Sequence, residues 1–398
     1  MSVRYGGVAG ARSGVLRRAA ARDSPLRRID WLLTGAVLAL SVIGSMLVWA
    51  ATRPMLLNAH QDPASFLKKN ILNLAIGLVL GVVAAGLDYR LLRAYAPILY
   101  GLACVGLLIV LSPVGATVNG SHSRIVLGGG FQVQPSEFAK VGLVVLLAMI
   151  LGEPREGELH GGSGPQPKDI ALALALTAPP MALTMLQPDL GTTMVFCAAI
   201  MGVLVVSGVR KLYLVGLVGA GAGAGASAVF LGLLKPYQLA RFTSFLNPAA
   251  DPRGTGYNSQ QARIAVGSGG LLGKGLFHGE QTGGHFVPEQ QTDFIFTVAG
   301  EELGFLGAVL IIILIGIVLW RGLRIATQAA DLFGTLLATG VVCWFGFQAF
   351  ENIGMCLGIM PITGVPLPFV SYGGTATFAN MIAIGLLQAV HLRHRPFD

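Results

Sequence analysis

Acidic side chains are concentrated in one polar stretch just before an apolar run, and this stretch is the strongest candidate for chemistry. Asp293 follows Glu289 and Thr292, and Glu301 and Glu302 come soon after it. Carboxylates grouped at a membrane face suit general acid–base catalysis or cation binding. An N-cap role would explain Asp293 alone, and it stays open as the structural alternative for that residue.

A second polar stretch, Gln-Pro-Ser-Glu-Phe-Ala-Lys, covers residues 134–140. Glu137 and Lys140 are three residues apart, so on a helix they share a face and can form an ion pair. Two interpretations are open. The pair is either a structural element at the start of a helix or part of a polar pocket that receives an anionic headgroup.

Two further polar stretches interrupt apolar runs. Asp189 follows Pro188 and precedes Thr192 by three residues, a spacing that predicts an N-cap at the start of a helix. The stretch 364–375 contains Ser371, two prolines and a Gly pair. Broken backbone of this kind is tolerated at membrane depth where it is buried in protein or lines a cavity. A turn between two helices is the alternative.

The rest of the chain is built to position these stretches in a membrane. Its 398 residues are 54% hydrophobic and 12% charged, whereas a soluble domain is about 25% charged. A membrane helix needs roughly 20 mainly apolar residues. We therefore predict an all-α polytopic membrane protein of about ten transmembrane helices, with a long outer loop between helices 7 and 8. The predicted spans are 30–51, 71–87, 96–112, 138–152 (starting near Pro135), 170–187, 190–208, 212–234, 303–320, 332–350 and 375–391.

The Lys and Arg residues orient these spans, because positive charge is enriched in cytoplasmic segments. Most of them fall inside if the amino terminus is cytoplasmic, and both termini are then predicted to be cytoplasmic. Because the excess of +8 lies at the ends of apolar runs, we expect no nucleic-acid partner. The segments predicted to lie outside are 113–137, 235–302 and 351–374. The predicted domains are a basic tail at 1–28, a membrane domain at 29–392 and a short cytoplasmic tail at 393–398.

No resident metal site is expected from the Cys and His residues. The four cysteines have no Cys-x-x-Cys spacing, and the first three lie in apolar runs, which predicts buried free thiols: Cys104, Cys197, Cys343 and Cys356. The seven histidines form no His-Glu-x-x-His pattern.

The four polar stretches, taken in order, resemble the motifs of the SEDS family of bacterial cell-wall proteins (shape, elongation, division and sporulation). The resemblance extends over residues 29–392. Within that family, the stretch 363–369 resembles the rod-shape branch, RodA, rather than the division branch, FtsW. Family members usually carry Arg-Trp in the first outer loop, where this chain has Arg124 and Ile125, so no role for that Trp is transferred.

The resemblance implies a peptidoglycan glycosyltransferase that polymerises lipid II into β-1,4 glycan strands for cell elongation and shape. Lipid II is a disaccharide-pentapeptide on undecaprenyl pyrophosphate, and the reaction takes place on the outer face of the bacterial plasma membrane. Asp293 corresponds to the essential acid of the family, and we assign it as the general base of an inverting transfer. The implied partners are membrane lipids, an undecaprenyl-pyrophosphate-linked glycan and a class B penicillin-binding protein, which is a transpeptidase.

A set of polar residues is expected to bind this substrate or to shape its pocket. Its basic members are candidates for neutralising the pyrophosphate. A divalent cation, Mg²⁺ or Mn²⁺, is an open alternative, because Asp293, Glu289 and the pyrophosphate all offer oxygen ligands. The set consists of Arg124, Gln134, Ser136, Glu137, Lys140, Asp189, Arg241, Arg263, Glu289, Thr292, Ser371 and Tyr372.

Three other functions stay open at this stage. A lipid II flippase should have its essential charges near the midplane of the membrane, where Glu351 and Glu302 are the nearest acids. A scaffold for the penicillin-binding protein would need no catalytic acid. A division polymerase resembling FtsW would share the chemistry and differ in its cellular role.

Overall fold

Helices dominate the structure, a computed structural model that describes residues 28–118, 121–126, 132–152, 164–232, 241, 244–245, 247 and 254–393. Almost all of the two predicted tails, and most of 233–253, lie outside these residues. The helices are α1 (Trp31–Asn58), α2 (Ser65–Gly86), α3 (Tyr89–Leu111), α4 (Pro135–Leu151), α5 (Pro167–Leu186), α6 (Leu190–Val206), α7 (Lys211–Phe230), α8 (Thr255–Ser268), α9 (Glu280–Gly283), α10 (Ile295–Val298), α11 (Gly304–Thr327), α12 (Leu332–Leu357) and α13 (Gly374–Leu392), with a π-helix at Ala299–Leu303.

The apolar runs of the sequence coincide with these helices. Seven described segments are long and apolar enough to cross a membrane by length and composition: α1, α2, α3, α5, α12, α13 and the segment from α10 to α11. Helix α6 is equally apolar but has 17 residues. The chain is therefore a multi-pass membrane protein.

Helices α12 and α13 form the centre of the helical bundle. Helix α12 packs against α4, α6 and α11, while α13 packs mainly against α2. Most residues of α12 and α13 are buried, whereas α2, α3 and α7 expose many Leu, Val and Ile side chains. Apolar side chains on the outside suit helices that face lipid. The polar side chains of α12 therefore lie in the interior, where each needs a partner.

The prediction of an all-α protein is wrong for the segment 113–137. This segment contains an antiparallel sheet of three strands, β1 (Gly115–Val118), β2 (Ser121–Val126) and β3 (Gln132–Val133). Strands of two to six residues contain too few alternations to show a period in the sequence. So small a sheet is marginal alone, and here β2 packs on α3 and β3 on α13.

The start of the span predicted at 303–320 also differs, since its helix begins at Ile295 and passes through the π-helix. Glu301 lies in that π-helix, fully buried, and accepts hydrogen bonds from the backbone N of Gln281 (2.9 Å) and of Thr282 (2.8 Å). It also forms an ion pair with Lys274 (3.2 Å), so its role here is to anchor the preceding loop.

Two smaller predictions have different outcomes. Helix α4 begins at Pro135, as expected, with the proline in its first turn. The prediction of buried thiols is wrong for Cys197, which is exposed on α6, while Cys356 is buried. A side chain exposed on a membrane helix faces lipid, and its sequence neighbours are as apolar as those of a side chain buried in protein. The apolar context therefore does not distinguish the two.

Candidate active site

A single polar cavity of about 370 Å³ collects most of the residues that the sequence pointed to. It lies where the three predicted outer segments and the start of α6 meet. The predicted residues that line it are Arg124, Gln134, Asp189, Arg241, Glu289, Thr292, Asp293 and Tyr372. Further lining residues that the sequence analysis missed include Phe66, Lys69, Asn73, Ser121, Ser123, Gln132, Gln291 and Thr363.

Asp293 lies in the turn before α10, and its backbone is held on both sides. Its N donates to the carbonyl O of Glu289 (3.2 Å), and its own O accepts from Nδ2 of Asn352 (2.7 Å). The N-cap alternative is wrong, because the cap residue of α10 is Phe294. Within the described part of the chain, no hydrogen bond reaches the Asp293 carboxylate. The carboxylate is therefore available to a ligand.

The surroundings of Asp293 make it a stronger base than an ordinary aspartate. Burial raises the pKa of Asp293 to about 6 and is the largest effect on it. The positive charges of Arg124 and Arg241 lower that pKa, while the negative charges of Glu289 and Asp189 raise it. A base with a pKa near the working pH combines ionisation with a useful affinity for the proton. These properties suit a general base.

Basic side chains face the same cavity. Arg124 on β2 donates from Nη1 to Oε1 of Gln132 (3.1 Å), and Arg241 donates from Nη1 to the carbonyl O of Thr363 (3.3 Å). Lys69, near the start of α2, is a third cation on the cavity wall. The cavity therefore combines a carboxylate base with positive charge, an arrangement that can hold an anion next to a reacting hydroxyl.

Asp189 has the capping role that its spacing predicted. One carboxylate oxygen accepts from the backbone N of Thr192 (3.0 Å), and the other accepts from Oγ1 of Thr192 (2.8 Å) and from Nε2 of Gln134 (3.2 Å). Both oxygens thus have partners. Asp189 starts α6 and links it to the residue before α4, so it shapes the cavity wall.

Glu137 and Lys140 form the predicted ion pair, at 2.9 Å, but both are buried and neither lines the cavity. Lys140 also donates to Oε1 of Gln348 (3.0 Å), whose Nε2 donates to the carbonyl O of Pro366 (2.7 Å). Pro366 lines the cavity. This geometry favours the structural interpretation, in which the pair braces the cavity wall from behind.

Three other predicted residues also lie away from the lining of the cavity. Ser136 is buried at the start of α4. The Oγ of Ser371 accepts from the backbone N of Leu367 (2.8 Å) and stabilises its own loop. Arg263 is exposed on α8 and contacts Gly358 just after α12.

Tyr372, in contrast, connects two walls of the cavity. Its backbone N donates to the carbonyl O of Gln291 (2.9 Å), and its ring packs against Phe66 at a centroid distance of 5.2 Å. The loop before α13 is thereby attached both to the turn that carries Asp293 and to α2. This contact explains how residues near the two ends of the chain come to share one cavity.

The acids expected for a flippase are buried elsewhere. Glu302 and Glu351 are at most 1% exposed, and neither lines the cavity. Among the residues that the structure describes, no group of three His, Cys, Asp or Glu side chains has the geometry of a metal site. Glu289 and Asp293 do share the cavity, so two carboxylates are present for a cation that arrives with a phosphate-bearing ligand.

Comparison with known sequences finds relatives along nearly the whole chain. A family model described as "Cell cycle protein", for FtsW, RodA and SpoVE, matches residues 30–395. Stage V sporulation protein E of Bacillus subtilis is 38% identical over 362 residues, which are 91% of this chain and 96% of that protein. The peptidoglycan glycosyltransferase MrdB of Escherichia coli K12 is 36% identical over 380 residues, covering 94% and 98%.

Solved structures show the same similarity. A chain from a structure described as "Structural coordination of polymerization and crosslinking by a peptidoglycan synthase complex" matches with a TM-score of 0.75 and 32% identity, covering 91% of this chain and 97% of that one. The crystal structure of the rod shape determining protein RodA of Thermus thermophilus matches with a TM-score of 0.66 and 30% identity, covering 93% and 98%.

Proposed function

This chain belongs to the family of FtsW, RodA and SpoVE, the SEDS proteins, and on that premise we propose that it polymerises lipid II into peptidoglycan glycan strands. It is a glycosyltransferase, as its relatives named peptidoglycan glycosyltransferase are. The observation that carries the proposal is Asp293, a carboxylate with a raised pKa and no hydrogen bond from the described residues, in a cavity that also holds basic side chains. The motif at 363–369 favours a RodA-like role in elongation over an FtsW-like role in division.

The proposed reaction is a single displacement. The donor is the growing glycan, joined through its anomeric carbon to undecaprenyl pyrophosphate, and the acceptor is the 4-hydroxyl of an incoming lipid II. Asp293 accepts the hydroxyl proton while that oxygen attacks the anomeric carbon, and the pyrophosphate leaves from the opposite face. An α-linked donor and a β-1,4 product require inversion, which needs one base and no covalent intermediate.

The basic side chains would neutralise the departing pyrophosphate. Arg124, Arg241 and Lys69 all line the cavity, and arginine binds phosphate oxygens through paired N–H groups. Asp293 and Glu289 are the residues that would hold Mg²⁺ or Mn²⁺, together with oxygens of the substrate. Such an ion would supply further charge neutralisation.

The proposed setting is the outer face of the bacterial plasma membrane, with both termini in the cytoplasm. Each of the three segments that the charge distribution assigned to the outside contributes to the cavity, so they share one face, as this orientation requires. A class B penicillin-binding protein is the proposed partner. The support for it is the similarity to a chain of a peptidoglycan synthase complex that couples polymerisation to crosslinking.

The test is polymerisation of fluorescent lipid II by the purified protein, with and without a class B penicillin-binding protein. We expect glycan ladders from the wild type and from the control Asp62→Asn, a surface acid that pairs with Lys68. We expect no glycan ladders from Asp293→Asn, in a preparation that thermal melting shows to be folded. Full activity of Asp293→Asn would rule out the assigned base. Scrambling of lipid II in vesicles without polymer would favour the flippase instead.

A further inference from the structure

The side chain of Asn352 joins the turn that carries Asp293 to the opposite wall of the cavity. Asn352 lies near the end of α12 and is fully buried. Its Nδ2 donates to two backbone oxygens, that of Asp293 at 2.7 Å and that of Val365 at 2.7 Å. A primary amide has two N–H groups. Both N–H groups are therefore used, and they fix the distance between the backbone at Asp293 and the backbone at Val365.

The two segments that Asn352 joins carry different parts of the proposed chemistry. The first holds Asp293, whose carboxylate receives no hydrogen bond from the described residues, so its position depends on how the backbone is fixed. The second, 363–366, holds Thr363, whose carbonyl O accepts from Arg241 (3.3 Å). Both segments line the cavity. The side-chain amide of Asn352 is thus a direct link between the segment that carries the base and the segment that Arg241 contacts.

We propose that Asn352 is a positioning residue, which sets the distance between the Asp293 carboxylate and the wall at 363–366. This inference rests on the proposed function, because it assigns Asn352 a part in the same transfer. Asn352 does not line the cavity, so it acts through the backbone of Asp293. A shift of about 1 Å in a reacting group lowers a rate by about 10²-fold.

Another buried amide on the same helix shows that this arrangement is specific. Gln348, one turn earlier, donates from Nε2 to the carbonyl O of Pro366 and accepts from Lys140. It supports the same loop, but none of its hydrogen bonds reaches the turn with Asp293. Within the described residues, Asn352 is the amide that makes a hydrogen bond to both segments.

The first experiment compares Asn352→Leu and Asn352→Asp with the control Asn380→Leu. Asn380 is an equally buried amide, on α13, and is not part of the cavity lining. We expect Asn352→Leu to lower kcat for lipid II polymerisation by about 10²-fold with KM changed less than about threefold. Its Tm should lie below that of the control, because the buried carbonyl groups of Asp293 and Val365 lose a hydrogen-bond donor. In Asn352→Asp, an added carboxylate next to Asp293 should move the acidic limb of the kcat profile to higher pH.

The second experiment needs no activity. Hydrogen exchange of backbone amides should speed up in both 289–296 and 363–368 in Asn352→Leu, and in neither segment in Asn380→Leu. Unchanged exchange, or a loss of kcat no larger than in Asn380→Leu, would overturn the positioning role. A wild type that makes no polymer would instead overturn the proposed function, and the exchange comparison would still decide whether Asn352 holds the two segments.

Discussion

A Cβ atom on Gly364 would lie 3.1 Å from Oδ2 of Asp293, so a methyl group at this position of the cavity wall would crowd the proposed base. Gly364 also has φ of +78°, a backbone region that favours glycine. The backbone conformation and the limited space beside the carboxylate thus both favour glycine at position 364. This relationship yields a test that separates backbone strain from crowding.

We expect Gly364→Ala to lower polymerisation by about tenfold or more, because the new methyl group displaces the Asp293 carboxylate. The matched control is Gly232→Ala. Gly232 has φ of +64°, and within the described part of the chain no atom lies within 4 Å of a Cβ placed on it, so it shares the backbone strain without a described crowding contact. Both variants should lose about 1 kcal/mol of stability from that strain. Equal polymerisation rates for the two variants would contradict the claim that a methyl group at position 364 displaces the Asp293 carboxylate.

The activity should depend on pH through Asp293. A base must be ionised, so kcat/KM is expected to fall as the pH drops through about 6, the pKa to which burial raises Asp293. At pH 5 the rate should be about a tenth of its plateau. The measurement is an initial-rate profile from pH 4.5 to 8.5, with Tm followed over the same range. A flat profile across this range would exclude Asp293 as the titrating base.

Because its pKa is raised, the ionised carboxylate of Asp293 lowers the stability of the folded protein. Its pKa in the folded protein is above the ordinary value of 3.8, so folding favours the protonated form, and this cost grows as the pH rises from about 4 to about 6. Asp293→Asn should therefore be more stable than the wild type at pH 8, by up to about 3 kcal/mol and less where solvent reaches the carboxylate. The advantage should vanish near pH 4. Thermal melting at both pH values checks this, and an unfavourable effect at pH 8 would contradict it.

Arg124 and Arg263 should differ, although the sequence analysis assigned both to the substrate. Arg124 lines the cavity and its charge lowers the pKa of Asp293, so Arg124→Gln should raise KM and move the acidic limb to higher pH. Arg263 is exposed on α8 beside Gly358, and Arg263→Gln should leave both quantities unchanged. The check is a KM measurement and a pH profile for each variant. Equal effects of the two substitutions would indicate that Arg263 binds the substrate, as the sequence analysis predicted.

Two adjacent lysines provide another matched pair. Lys69 lines the cavity, whereas its neighbour Lys68 forms an exposed ion pair with Asp62 at 2.6 Å. If positive charge in the cavity attracts the pyrophosphate, Lys69→Gln should raise KM by about tenfold, roughly 1.4 kcal/mol, and Lys68→Gln should have little effect. Rates measured over a range of lipid II concentrations will distinguish them. A larger effect at Lys68 would mean that the binding surface lies outside this cavity.

Local patterns of the sequence predicted the elements well. The apolar runs correspond to helices, the spacing of Asp189 and Thr192 marks the start of α6, and Glu137 and Lys140 form their ion pair. Each of these features depends on residues within one or a few helical turns, where propensity and capping act. The sheet at 115–133 was missed, because its short strands depend on packing against α3 and α13.

The sequence by itself determined that this is a membrane protein of the SEDS family, and its motifs predicted Asp293 as the base. Tertiary structure decided which polar residues meet it. Lys69 and Asn352 are far from Asp293 along the chain, and only the packing of α2 and α12 places one on the cavity wall and the other behind the base. The physical reason is that a hydrogen bond between distant segments forms only where tertiary packing brings the donor and the acceptor within bonding distance. No local pattern of the sequence encodes that condition.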